Sequence, residues 1–377
     1  MTESVPPLLH PYTQAQLNEV LQKHALFMLG KPGGARAVLS HANLNHLKLA
    51  GADLTQADLY GACLNNADLT GAKLNGASLF GADLRSARLM QANLSKADLR
   101  GALLRGANLN GADLSEADLR DGNRAERDEN GELKPISFAV TPADATSAQF
   151  LAANLEGARM GGMMAMQTDF SGASLKNVKM NRATLRGAKF LQADLSGADL
   201  SGCDMRNANF TGAVMVGTHM EGARTDGALL EQVVNDAPLG VHIKDLPRPF
   251  DFMLRDHRRW VDTHGAEGVQ MDITNVDLRS ALSLAGARLS AVKAEKAIFL
   301  GLDLVAVELQ AAQLSGADFR SAKLDRADLR GIRGMVADFS GASLVDANFS
   351  PLQLAGGHKL PADLSLARLR HADLSRA

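Results

Sequence analysis

The stretch GADLTQADLYGACLNNADLT, residues 51–70, places a leucine at every fifth position, with alanine two residues before each one. The pattern extends outward in both directions. From Leu39 to Leu119 every fifth residue is leucine, and from Ala37 to Ala117 the residue two before it is alanine, Leu47 alone excepted. A helix needs a period of 3.6 and a plain strand a period of two, so neither yields five. A short extended segment followed by a turn does. The leucine, here termed the centre, and its alanine then point to one side, and the residue between them points to the other. The Ser/Thr-Gly pairs that often follow tolerate tight turns.

A chain that turns every five residues traces a polygon, and the phenylalanines count its sides. Phe150, Phe170, Phe190 and Phe210 are all centres, as are Phe299, Phe319 and Phe339. Their spacing of twenty predicts four pentapeptides per coil, with large centres and small alanines sharing a narrow interior. Successive coils are expected to stack at about 4.8 Å through backbone ladders. The A-D/N-L-x-x units resemble the pentapeptide-repeat family over nearly all of residues 37–377. That resemblance implies an all-β solenoid, a right-handed quadrilateral β-helix.

Three repeat runs are expected: residues 37–120, 149–230 and 269–377. The last slips by one residue between Leu278 and Leu284, which reads as a bulged corner, and has poor units at Gly334 and Lys359. Residues 121–148 form an insertion in which Asn130-Gly131 signals a hairpin and ISFAV (136–140) a strand. It reads as a projecting binding element, a tolerated insertion or a joint between two towers. Residues 1–36 and 231–268 carry one amphipathic helix each. The helix stripes Leu17, Val20, Leu21, His24, Phe27, Met28 and Phe250, Leu254, His257, Trp260, Val261 align as L-x-x-H-x-x-(F/W). Each stripe is followed by a glycine turn (Gly34, Gly268) and the first repeat, so helix plus solenoid is duplicated. Thr13 with Gln16 is a candidate capping box. A solenoid end exposes strand edges and core, which marks these helices as caps with Phe27 and Trp260 as plugs. His24 and His257 read as hydrogen-bonded structural histidines, with a ligand or base role the alternative.

Composition excludes more than it assigns. The net charge of −2, from 40 basic and 42 acidic residues, marks neither a nucleic-acid binder nor a strongly acidic mimic of DNA. Cys63 and Cys203 lie inside repeats and not in a C-x-x-C pair, which favours a reducing compartment. No basic-then-apolar leader and no run of about 18 apolar residues is present, so a cytoplasmic chain with no membrane span is expected. The acids of the insertion miss the calcium-loop spacing, and no P-loop, H-E-x-x-H or nucleophile elbow occurs. The expectation is a non-enzyme with no cofactor and no metal.

Function then falls to the outer faces. The position after the centre reads Ser40, Tyr60, Phe80, Arg100, Arg120 on one face and Asn45, Asn65, Arg85, Arg105 on the next. Tyr60, Phe80, Arg85, Arg100, Arg105 and Arg120 are therefore a candidate partner-binding patch, unless the aromatics pack beneath the insertion. Arg186 and Arg206 stack above Met166 likewise. The expected role is a rigid protein-interaction scaffold that does not contact nucleic acid directly. The resemblance also implies an end-to-end homodimer through the C-terminal end, and DNA mimicry toward gyrase as an alternative. Mimicry needs an anionic surface, and positions 38–121 hold nine acids against eight bases.

Overall fold

The computed structural model describes residues 10–122, 125–127, 133–135, 142–237, 240–281, 283–370 and 372–377. They divide into two units, residues 1–236 and 237–377, each with its own core. In the first, β1 (His10–Pro11) leads into α1 (Gln14–Met28), and β2 (Ala42–Asn43) opens the repeats. Single-residue parallel bridges then join each coil to the next: Val38 to Asp58, Asn43 to Cys63, Lys48 to Asp68 and Asp53 to Lys73. These four bridges, each spanning twenty residues, are the four sides predicted from the phenylalanines.

The five-residue unit follows from three bonds. The centre donates its N–H to the coil above, as Leu39 does to the Asp58 carbonyl (2.7 Å), and its own carbonyl accepts from the alanine three residues on (Ala42 to Leu39, 3.0 Å). The second bond closes a turn at each corner. The residue two past the centre takes a left-handed conformation there, as at Gln56 (φ 58°) and Gly61 (φ 59°). The third bond explains the recurrent Asp or Asn. Asp58 Oδ1 accepts the Tyr60 N–H (3.1 Å) and Asp68 Oδ1 that of Thr70 (3.1 Å), so the side chain secures a corner amide. Alanines and centres fill the interior, almost all at 0–1% exposure. Phe150, Phe170, Phe190 and Phe210 form a stacked column with centroid spacings of 5.1, 5.1 and 4.8 Å, and Phe299, Phe319 and Phe339 another at 4.6 and 4.9 Å.

The insertion does not divide the first unit. Leu103 bridges Asp144 and Asp118 bridges Arg159, a spacing of 41, after which twenty resumes with Asp144 to Met164. The ladder therefore continues across it, and Ala145 already occupies a buried centre one repeat before Phe150. Within the insertion β3 (Ala125–Arg127) pairs antiparallel with β4 (Leu133–Pro135), with Arg127 opposite Leu133. The turn itself and ISFAV lie outside the described residues.

The second unit repeats the plan: β5 (Val241–His242), α2 (Phe250–Asp262), then β6 (Val276–Asp277) and coils. Both units have an edge strand that the sequence did not announce. β1 pairs parallel with β2, and β5 with β6, covering backbone groups of the first coil. The one-residue slip shows as spacings of 21 for Asp272–Lys293 and Asp277–Ile298 and 20 from Arg288–Glu308 onward. A second departure corrects the expected unbroken run to Leu374. Arg333 bridges Asp363 and Asp338 bridges Arg368, a spacing of 30. Ten extra residues leave the coil as β7 (Leu352–Gln353) paired antiparallel with β8 (Lys359–Leu360). Lys359 is thus in a hairpin and not a weak centre, and Leu369 takes the place above Phe339.

Candidate partner-binding face

The two outer columns form as the spacing predicts. The His41, Gly61, Gly81 and Gly101 amides donate to the carbonyls of Tyr60, Phe80, Arg100 and Arg120, which stacks those four residues one per coil. Tyr60 and Phe80 lie nearly parallel, 5.6 Å apart, and the Arg100 guanidinium sits 5.2 Å from the Phe80 centroid. His41 adds an edge-on contact to Tyr60 at 5.1 Å. The sequence reading missed His41 because it is a corner residue, one place beyond the column. Both aromatics are half-buried rather than fully exposed. Gly122, at the start of the insertion, approaches closely enough that a Cβ there would lie 3.4 Å from the Phe80 ring. Packing of the aromatics beneath the remainder of the insertion falls outside the described residues.

The second column runs Asn45, Asn65, Arg85, Arg105 and continues across the insertion as Thr146, Met166, Arg186 and Arg206. Asn65, Asn66, Arg85, Ser86, Arg105 and Ser147 line a shallow groove along it.

The arginines are not a field of free cations. Each that follows a D-L pair folds back on the aspartate two residues earlier through Nε and Nη2. The bond lengths are 2.8 and 2.6 Å for Arg85–Asp83, 2.9 and 2.8 Å for Arg100–Asp98, and 2.9 and 2.7 Å for Arg120–Asp118. Such forked bonds are strong and directional. Burial works against ionisation of Asp83 and Asp118, yet bonds from the arginines, and from Asn65 to Asp83, outweigh it and hold both carboxyls below their ordinary value. The bonds to the carboxylates raise Arg85, Arg100 and Arg120 above theirs. Arg105 has Leu103 two residues before it where the others have aspartate, so it lacks the partner for such a fork. At Asp204 the bonds from Arg206, and then from Arg186, outweigh burial and hold the carboxyl far below the usual range. D-x-R is the signal for these forks, and it was legible from the repeat.

The helix residues are placed differently from expectation. Leu17 and His24 are the buried residues of α1, and Met253 and His257 those of α2. Phe27 is 43% exposed and stacks on the outer side of His24 (6.0 Å), as half-buried Trp260 does on His257 (5.7 Å). The aromatics are displaced because the glycine turns lie backbone-on-backbone against the helices. A Cβ on Gly34 would fall 2.3 Å from the Phe27 nitrogen, and one on Gly268 2.2 Å from the Asp256 carbonyl. His24 Nδ1 accepts the Ala37 N–H (3.1 Å) and Nε2 bonds the Thr55 carbonyl (3.1 Å). Thr13 and Gln16 form the capping box.

Among the described residues no helix is long and apolar enough to cross a membrane, and no three His, Cys, Asp or Glu residues are grouped to hold a metal ion.

Comparison with known proteins matches the repeat. The family model "Pentapeptide repeats" matches in eight copies, over residues 37–76, 82–121, 166–224 and 283–350, more than half of the chain. HetL, a pentapeptide repeat protein involved in heterocyst differentiation regulation from the cyanobacterium Nostoc sp. strain PCC 7120, is 32% identical over 53% of this chain and 79% of its own, with a TM-score of 0.41. Rfr23 from the cyanobacterium Cyanothece 51142 is 23% identical over 37% and 91%, at 0.27. QnrB1, a plasmid-mediated fluoroquinolone resistance protein, is 19% identical over 54% and 93%, at 0.23. No curated protein shows significant similarity to the chain. On the extent of the family match, the chain belongs to the pentapeptide-repeat family.

Proposed function

We propose that this protein is a non-catalytic protein-interaction scaffold, a right-handed square β-helix of the cytoplasm whose tower ends are capped by α1 and α2. One observation carries the reading. At a turn position that often carries Ser, Thr or Asn elsewhere in the repeats, four consecutive coils present His41, Tyr60, Phe80 and Arg100 in a chain of contacts. Rings and a guanidinium pre-ordered by the ladder lose little entropy on binding, which favours them as anchors. The groove beside them, from Asn65 to Arg105 and Ser147, supplies a polar rim. Arg120 extends the patch by one coil. A homodimer through the C-terminal end belongs to the same reading.

The test isolates the partner that co-purifies with the native protein and measures its affinity for Tyr60→Ala/Phe80→Ala. A loss of about 2 kcal/mol or more, near 30-fold, is expected of anchors; unchanged affinity removes the patch. Gyrase mimicry is the weaker reading, because each D-L-R carboxylate on this face is matched by its own arginine. Purified gyrase should supercoil DNA normally at micromolar protein, and inhibition there would reverse this preference.

A further inference from the structure

His24 and His257 hold their helices by the same bond, an unprotonated ring nitrogen that accepts a backbone N–H from the start of the first coil. For His257 the bond runs from Met271 N–H to Nδ1 at 3.0 Å. The ring is fully buried and lies near the Ser290 backbone, but its Nε2 makes no hydrogen bond of ordinary geometry among the described residues. His24 differs, because its Nε2 bonds the Thr55 carbonyl. An imidazole that accepts at Nδ1 is necessarily neutral. Protonation places a second N–H against the Met271 N–H and a charge in a buried site.

We propose that His257 is an acid-sensitive latch, whose protonation breaks the Met271 bond and releases α2 from the first coil of the second unit. The charges around the ring do not rescue the protonated form. On α2, Asp256 is paired with Arg248, and Asp262 with Arg258 and Arg288. On the coils, Glu308 is also engaged by Arg288, and Asp272 accepts from Thr274 N–H. Arg255, Arg258 and Arg259 flank the histidine in sequence and are exposed. Burial pushes the ring's pKa below its ordinary value, and the Ser290 backbone offsets this only in part. The sign follows: the latched form is fully favoured above the ordinary histidine value of about 6.5 and loses ground as pH falls below it toward the lowered native value. Release would uncover the core of the second unit where Met253, Phe250 and Leu254 pack.

Trp260, the sole tryptophan, is stacked on the His257 ring and reports on it directly. Its emission is to be followed from pH 8 to pH 4.5 in the intact protein, together with hydrogen exchange of the Met271 amide corrected for its intrinsic pH dependence. A reversible emission change beginning below about pH 6.5 is expected, with Met271 opening increasing up to about tenfold per pH unit. His257→Gln keeps an acceptor but cannot titrate, so it should lack the transition, whereas His24→Gln should retain it at Trp260. A flat Trp260 profile and unchanged Met271 exchange in the native protein would overturn the latch. So would an unaltered transition in His257→Gln. Should that variant not fold, Met271 exchange in the native protein decides alone.

Discussion

Replacing Phe190 by alanine tests what holds the first unit together. The ring is fully buried between Phe170 at 5.1 Å and Phe210 at 4.8 Å, with interplanar angles of 11° and 1°. Truncation removes the ring's burial and leaves a cavity, and the walls cannot close on it because they are fixed backbone ladders. Phe190 N–H is bonded to Asn209 above, and Lys189 carbonyl receives Phe170 N–H from below, each at 2.7 Å. Phe→Ala costs of about 3–5 kcal/mol apply to such sites. Phe190→Leu keeps the centre type used throughout the first run, so its main loss is two ring pairs, about 1–3 kcal/mol. Phe210→Ala should fall at the low end of the alanine range, since Leu230, the centre above it, is 49% exposed. Because repeat arrays need not unfold as a whole, the assay is native-state hydrogen exchange at the Phe170 and Phe190 amides. Phe190→Ala should accelerate it by about two to nearly four orders of magnitude. A loss below about 1 kcal/mol, or one no larger than that of Phe210→Ala, would refute the argument that the column is a rigid, shared core.

Two other outcomes follow from the geometry. Asp204 should remain ionised well below the ordinary aspartate value of about 3.9, and Arg206→Ala should raise its titration toward that value; carboxyl NMR reads both. Since its native pKa is depressed, its contribution to stability is present above about pH 3.9 and is lost as pH falls further, so an Arg206→Ala profile identical to native would contradict the fork. Deleting residues 350–359 joins Ala347-Asn348-Phe349 through two residues to Ala362-Asp363-Leu364 and restores a spacing of twenty between Arg333 and Asp363. That protein should fold with a near-native circular dichroism spectrum, whereas an eight-residue deletion at the same place should not; equal behaviour of the two would show that ladder register is not what limits folding.

What was legible in the sequence was whatever repeats. The period of five gave the buried leucines and alanines, the period of twenty gave the stacked columns from Tyr60 to Arg120, and the shared L-x-x-H-x-x-(F/W) stripe located both helices. Features used once per unit left no period to read. The two-residue edge strands at His10 and Val241 carry no pattern of their own, and the depth of Leu17 over Phe27 depends on a glycine turn touching the helix backbone. The Arg–Asp forks were written in plain D-x-R spacing, but reading arginines as charges alone concealed that each is matched by its neighbour. The hairpin after Phe349 escaped for a different reason: its ten added residues are two whole repeat lengths, so the pattern resumes in phase at Ala362 and Leu364, and only the poor unit at Lys359 marks the break.

That hairpin shows that the chain carries two superimposed codes with different moduli. Position within five decides inside from outside, whereas position within twenty decides compass bearing around the axis. Ten residues are silent in the first code and a half-turn in the second. A surface residue numbered twenty beyond Asp338 would be assigned to the bearing of Asp338, but Arg368, thirty beyond, is the residue that bridges it. Because those ten residues leave the coil as a hairpin, everything downstream keeps its bearing, with Asp363 on Arg333 and Arg368 on Asp338. What shifts is the numbering, so two repeats can be looped out of such a solenoid while both its core and the aim of its later faces stay the same.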